Sequence, residues 1–206
     1  MASNLYKQKV LILDFGSQYT QLIARRVRET KVYCEIHPFN FELEKIKAFS
    51  PKGIIFSGGP SSIYDKEAPL ADKRILDLKV PVLGICYGMQ FLTHMLGGVV
   101  AKSTDREYGN AIIRINDDKD LFHGLEKTDG QTVWMSHGDR IDRMPEGFEV
   151  LAGSRNSPVA AMADKSRRHF GVQFHPEVAH TPKGPKILKN FLFRICGCEP
   201  SWTMSS

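Results

Sequence analysis

The sequence predicts an α/β fold: a mostly parallel sheet flanked by helices on both faces, with additional antiparallel strands. Three observations carry this. Apolar runs of strand length alternate with helix-period segments through the first 96 residues. The runs at 10–14, 53–57 and 82–85 each lead into a glycine-containing turn. Beyond residue 96 the alternation gives way to short strands separated by turns. With 206 residues and 42% hydrophobic content, the chain has enough apolar mass for one well-buried core.

The elements follow in order. Residues 10–14 (VLILD) read as a buried strand, and Gly16-Ser17-Gln18 turns into a helix over 19–30 whose Leu22, Ile23 and Val27 share one face. A strand over 33–37, a short helix over 42–49, a strand over 53–57, a helix over 71–78 and a strand over 82–85 continue the alternation, which a parallel sheet covered on both faces requires. A helix over 87–96 comes next. Strands are then expected at 111–115, 132–135, 150–151, 159–162 and 170–174, where the sheet acquires antiparallel pieces. A last helix over 183–195 presents Ile187, Leu188, Phe191 and Leu192 to the sheet, and residues 197–206 read as a polar, proline-containing tail.

Composition excludes several classes of function. The net charge of +5 comes from basic residues scattered among acidic ones, with no basic helix or aromatic-basic repeat, so nucleic acid is not an expected partner. Every strand-like apolar run is broken by charge, glycine or proline well short of the ~20 residues that cross a bilayer, so no membrane association is expected. Residues 1–9 carry no apolar leader, and the four cysteines are unevenly placed, which points to a reducing cytoplasm without disulfides. Cys196-Gly197-Cys198 has the wrong spacing for a zinc knuckle and is expected to lie in a flexible tail, and His175 and His180 lack a third ligand, so no metal is expected. The glycines at 57–62 lack the Gly-Lys-Ser/Thr ending of a phosphate loop, and Gly16 belongs to no dinucleotide fingerprint.

Cys86 is the residue that carries chemistry. A cysteine at the end of an apolar run is ordinarily a small core side chain. Here Gly84 and Gly88 flank it two residues away on each side, as a sharp strand-to-helix turn with an exposed nucleophile requires. The N–H groups and dipole of the following helix favour a thiolate at that place. A thiolate that displaces an amine needs a proton carrier, and the carrier needs a group to fix its orientation. Phe174-His175-Pro176-Glu177, directly after the strand expected at 170–174, supplies both and is expected to project from a sheet edge. In Ser57-Gly58-Gly59-Pro60 the glycines let backbone N–H groups approach a developing oxyanion, although an ordinary turn has the same composition.

Three blocks, Ser57-Gly58-Gly59-Pro60, Gly84-Ile85-Cys86-Tyr87-Gly88-Met89-Gln90 and Gln173-Phe174-His175-Pro176-Glu177, resemble in order and spacing the class I glutamine amidotransferases, whose fold is flavodoxin-like. More narrowly, Ile12-Leu13-Asp14-Phe15-Gly16-Ser17-Gln18-Tyr19, Cys86-Tyr87-Gly88-Met89-Gln90 and Met135-Ser136-His137-Gly138-Asp139 resemble the amidotransferase domains of GMP synthetases. The resemblance implies a Cys86 nucleophile, His175 as proton carrier and Glu177 as its orienting group. It also implies an oxyanion hole from the N–H groups of Gly59 and Tyr87, and glutamine held by Gly58, Gln90, Ser136, His137 and Gly138. Arg106-Glu107-Tyr108-Gly109 reads as a loop near the pocket or a partner, or simply a solvated one.

On the same resemblance, residues 1–196 are an amidotransferase domain and 197–206 a linker toward an ATP pyrophosphatase domain that this chain lacks. L-glutamine is the implied substrate. The synthetase domain, in cis or as a separate subunit, is the implied partner, and an excised domain is favoured over a natural subunit. No cofactor is expected here, since ATP and Mg belong to the synthetase domain, and the full-length enzyme could be a homodimer. Other readings remain: the amidotransferase subunit of another synthase, a non-catalytic regulatory module, or a stand-alone γ-glutamyl cysteine hydrolase of the same fold.

Overall fold

Val10, Leu11, Ile12 and Leu13 are all fully buried, as a strand covered on both faces requires, and the rest of the chain builds outward from them. The computed structural model describes residues 8–127 and 130–202. Within them the order is β1 (Lys9–Asp14), α1 (Thr20–Glu29), β2 (Tyr33–Pro38), α2 (Leu43–Phe49), β3 (Gly53–Phe56), β4 (Val82–Ile85), α3 (Tyr87–Met95), β5 (Val99–Ile115), β6 (Gln131–Arg143), β7 (Glu149–Gly153), β8 (Ala161–Asp164), β9 (His169–Val172) and α4 (Gly184–Lys189). One sheet runs β2-β1-β3-β4-β9-β8-β7-β5-β6. The first five strands of that order are parallel and the remainder pair antiparallel.

Successive side chains of β1 enter opposite cores, because a strand alternates faces. Val10 and Ile12 join Ile23, Ala24 and Val27 of α1 and Ile187 and Leu188 of α4 on one side. Leu11 and Leu13 join Leu43 and Ile46 of α2 and Phe91 and Leu92 of α3 on the other. Each such side chain contributes about 1.5–3 kcal/mol by leaving water, so the two layers hold the parallel strands in place. Among the described residues no helix is long and apolar enough to cross a membrane.

Four regions differ from the sequence expectation. The helix expected over 71–78 is a single 3-10 turn, Lys73–Asp77, whose Arg74 N–H donates to Asp72 Oδ1 at 3.0 Å. Lys79 follows at φ 58° and Pro81 after it, so the turn has no room to propagate. The strands expected at 111–115 and 132–135 are the ends of the much longer β5 and β6, which pair from Val99 opposite Arg143 to Ile113 opposite Gln131. Residues 106–109 therefore lie in a strand and not in a loop.

The last helix changes pitch: α4 passes into a π-helical turn, Asn190–Ile195, in which the Cys196 N–H donates to Phe191 O at 2.8 Å. The wider turn buries Asn190, Phe191, Leu192 and Ile195 together, and Asn190 Nδ2 donates to Leu121 O and His123 O, both at 2.9 Å. Cys196 and Cys198, expected in a tail, are core residues; Cys196 Sγ fills the space that a side chain at Gly53 would need. Burial lifts both thiols, Cys198 to about 11, which leaves them inert. The chain continues against β2, with the Trp202 N–H donating to Lys31 O at 2.8 Å and its ring 5.9 Å from that of Tyr33. All four cysteines are free thiols.

Candidate active site

The parallel strands share one C-terminal edge, where open α/β sheets place their ligand crevices. Phe15 follows β1 there, Ser57 follows β3, Cys86 follows β4 and Gln173 follows β9. Four of the five sequence blocks meet at that edge because β1, β3, β4 and β9, which carry them, are neighbours.

Cys86 sits at φ 53° and ψ −109°, a backbone conformation that a residue with a side chain adopts only when its surroundings force it, at a cost of about 1–3 kcal/mol. The glycines explain the forcing. A Cβ at Gly84 would lie 2.6 Å from Gly88 O, and one at Gly88 would collide with Phe56 O and lie 2.7 Å from Phe56 Cβ. Strand, turn and helix are thus packed backbone to backbone. The Cys86 N–H donates to Val172 O at 2.8 Å, and the Met89 and Gln90 N–H groups donate back to Cys86 O at 3.0 and 3.1 Å. Tyr87 and Gly88, in the first turn of α3, have no helical acceptor for their N–H groups. Cys86 Sγ lies 3.5 Å from Ser136 O and 3.7 Å from Gln173 Nε2.

His175 follows β9, an internal strand between β4 and β8, and so projects from the C-terminal edge of the sheet. That position puts it beside Cys86. Its N–H donates to Trp134 O at 3.0 Å, and its carbonyl accepts from Thr181 Oγ1 at 2.7 Å. Thr181 Oγ1 also accepts from Trp134 N at 3.0 Å, so one hydroxyl clamps the segment to β6. The ring is held by Glu177, whose Oε1 is 2.6 Å from Nδ1, and it is within hydrogen-bonding reach of Cys86. Glu177 is fully buried and lies behind the ring, outside the cleft. Its Oε2 has no hydrogen-bond partner among the described residues, and its backbone carbonyl accepts from Arg26 Nε of α1 at 3.0 Å. Burial pulls the imidazole's pKa down, but hydrogen bonds and charge from Cys86 and Glu177 outweigh it and raise the value from 6.5 to about 10. The carboxylate on one side and the sulfur on the other favour the protonated ring.

The loop after β3 lies alongside. Ser57 Oγ accepts from the Phe15 N–H and donates to Gly58 O, both at 2.8 Å. Because C=O and N–H point oppositely across a trans peptide, this turns the Gly59 N–H away from Ser57. A Cβ at Gly59 would collide with Phe15 O, and one at Gly58 would lie 3.1 Å from His175 Cε1. These glycines are set by close approach and not by a positive φ.

A cleft of about 560 Å³ opens over Cys86. Gly59, Tyr87, Gln90, Ser136, His137, Gly138 and His175 line it, while Gly58 packs behind His175 and Cys86. Gln90 Nε2 donates to Asp139 O at 3.2 Å, leaving its oxygen free for a ligand. The His137 ring is fully engaged elsewhere, 2.7 Å from Asp139 O and 3.0 Å from Glu107 Oε2, so only its backbone is available to the cleft. Sequence reasoning gave no role to Gln173, although its amide faces the sulfur, nor to Tyr19, whose ring meets that of His175 edge-on at 5.4 Å. Gln173 stands inside the same block as His175, and Tyr19 follows a turn in which Asp14 Oδ1 accepts from the Gly16 N–H at 2.8 Å. Both were within reach of the motifs as written.

Comparison with known proteins agrees with this geometry. The family model for class-I glutamine amidotransferases matches residues 11–195. The chain is 58% identical over 199 residues to the GMP synthase [glutamine-hydrolyzing] of Solidesulfovibrio magneticus, and 54% identical over 197 residues to that of Acetivibrio thermocellus. Both alignments cover 96% of this chain but only 39% and 38% of those relatives, so the chain spans under two fifths of their length. Among solved structures, a Thermoplasma acidophilum protein described as a candidate subunit of GMP synthase superimposes with a TM-score of 0.85 at 33% identity, covering 93% of this chain and 94% of its own. With a strained cysteine elbow, a buried histidine–glutamate pair and a family match across most of its length, the chain belongs to the class-I glutamine amidotransferases.

Proposed function

We propose that this chain hydrolyses L-glutamine to glutamate and ammonia through a Cys86 thioester. The ammonia would pass to a synthetase portion that converts XMP to GMP with ATP. The observation that carries the reading is the buried line Glu177–His175–Cys86, in which the carboxylate fixes the ring that serves the sulfur. The sulfur attacks the side-chain amide carbon. Backbone N–H groups of Gly59 and Tyr87 receive the charge on the amide oxygen, an interaction worth ~2.7–4 kcal/mol per donor in comparable sites. His175 gives its proton to the departing nitrogen, and ammonia leaves. It then takes a proton from water as that water attacks the thioester, and glutamate departs with the sulfur restored. Glu177 keeps the ring in one tautomer and balances its charge.

Glutamine lies in the cleft against the Gln90 side chain and the backbone of Ser136, His137 and Gly138, while Gly58 backs His175 and Cys86 rather than meeting the ligand. No cofactor takes part in these steps; ATP and Mg belong to the synthetase portion. The extra length of the relatives supports such a portion as partner, in cis or as a separate subunit. The setting is cytoplasmic. The test is glutamate release by the assembled enzyme. Cys86→Ala is expected to lower kcat by at least about 10⁴-fold, as loss of a covalent nucleophile does elsewhere, and retained hydrolysis overturns the proposal. Restoration of growth in a guanine auxotroph by the full-length protein, and not by its Cys86→Ala form on glutamine as nitrogen donor, assigns the ammonia to GMP formation.

A further inference from the structure

Strands β5 and β6 pair irregularly where they pass the cleft. Lys102 stands opposite Asp139 and Glu107 opposite His137, so residues 103–106 bulge against the single residue Gly138. The Arg106 stem crosses Gly138, where a Cβ would lie 3.6 Å from Arg106 Nε. A slip of one residue beyond the bulge would exchange the cleft-facing and buried side chains. Arg106 and Tyr108 line the cleft, whereas Glu107 between them is buried.

Regular pairing resumes at Glu107, which with His137 forms a buried cross-strand pair. His137 Nδ1 donates to Asp139 O at 2.7 Å, and Nε2 lies 3.0 Å from Glu107 Oε2 and 3.4 Å from Ser157 Oγ. The remaining capacity of the carboxylate is met by hydroxyls from the β7–β8 connection: Ser157 Oγ donates to Oε2 at 2.9 Å and Ser154 Oγ to Oε1 at 3.1 Å. A fully satisfied buried network of this kind penalises any other register, because a shift would strand a carboxylate and an imidazole without partners. The catalytic steps use none of these groups.

We propose that Glu107 is a positioning residue for glutamine. Through His137 it fixes β5 on β6 after the bulge, and with it the 106–108 and 136–138 segments that form the outer wall of the cleft. The inference rests on the proposed glutaminase activity and assigns Glu107 to substrate affinity, apart from the nucleophile. Both carboxylate oxygens are taken up by His137, Ser154 and Ser157, so the residue acts on substrate only through the wall it holds.

The experiment measures glutaminase kinetics and the rate of Cys86 alkylation by iodoacetamide in the enzyme assembled with its synthetase portion. Glu107→Ala is expected to raise KM for glutamine about tenfold with kcat within about threefold, the signature of lost ground-state and transition-state binding together, and to leave the alkylation rate unchanged. Glu107→Gln is expected to restore most of the affinity, since its amide donates to His137 Nε2 while Nδ1 keeps its proton. Ser157→Ala, a milder loss, is expected to raise KM less and carries the test if Glu107→Ala does not fold. Unchanged KM in these variants beside an active wild type overturns the inference alone. So does a fall in kcat and alkylation in step with affinity, or a Gln variant as impaired as the Ala variant. A wild type that releases no glutamate overturns the functional reading and this inference with it.

Discussion

The His175 imidazole has its protonation set by its neighbours in the fold. In the folded protein it keeps its proton up to about pH 10, against 6.5 for an unconstrained ring, so its pairing with Cys86 and Glu177 stabilises the fold fully below about pH 6.5. That contribution declines as pH rises and is lost through about pH 10. Glu177→Gln removes one of its causes. The difference in urea midpoint between wild type and this variant is expected to be largest near pH 6 and to shrink as pH approaches 10; a difference that grows with pH contradicts the assigned charge state. The same variant is expected to lower kcat by on the order of 10²–10⁴-fold while the protein still binds glutamine, because the ring loses the group that orients it. Steady-state kinetics at a fixed pH reads that directly.

At the scale of elements, the elbow and the β9 extension work as a pair of clamps. Gly84→Ala forces backbone apart at a contact of 2.6 Å, and a loss of about 1–3 kcal/mol is expected from comparable overpacking, seen as a lowered Tm together with slower Cys86 alkylation. Thr181→Val removes the hydroxyl that joins His175 O to Trp134 N, and about 1–3 kcal/mol of stability is expected to go with it, since a buried carbonyl and N–H are left unmet. A denaturant titration with an unchanged midpoint would remove the clamp from the account. The elbow was legible in the sequence, because tight strand-to-helix turns leave glycines at fixed offsets and β1, β3 and β4 have apolar cores; the Thr181 clamp was not. Nor was the long β5–β6 ribbon. Arg106 to Gly109 read as a loop, near the pocket or a partner or simply solvated, since the bulge at 103–106 breaks the period-two pattern and Glu107 hides its burial behind a charge. Cys196 and Cys198 were misplaced for a different reason: a π-helical turn returns them to the core, and no local signal announces that turn.

At the scale of the whole molecule, the sheet brings β3, β4 and β9 side by side and so gathers residues from remote parts of the chain at its C-terminal edge. The cleft they form is open and walled on one side by the β5–β6 ribbon, where Tyr108 is 65% exposed. On the function proposed above, closure over glutamine falls to the synthetase portion. Glutaminase turnover by the chain alone is expected to fall well below that of the assembled enzyme, as lid and loop ordering by a partner implies, and equal kcat values would contradict this. The most direct test of the central claim is peptide mapping by mass spectrometry after exposure of the assembled enzyme to a glutamine-like electrophile. The account predicts one adduct, on Cys86, formed markedly more slowly in His175→Ala; an adduct confined to another cysteine, or a rate indifferent to His175, would contradict it.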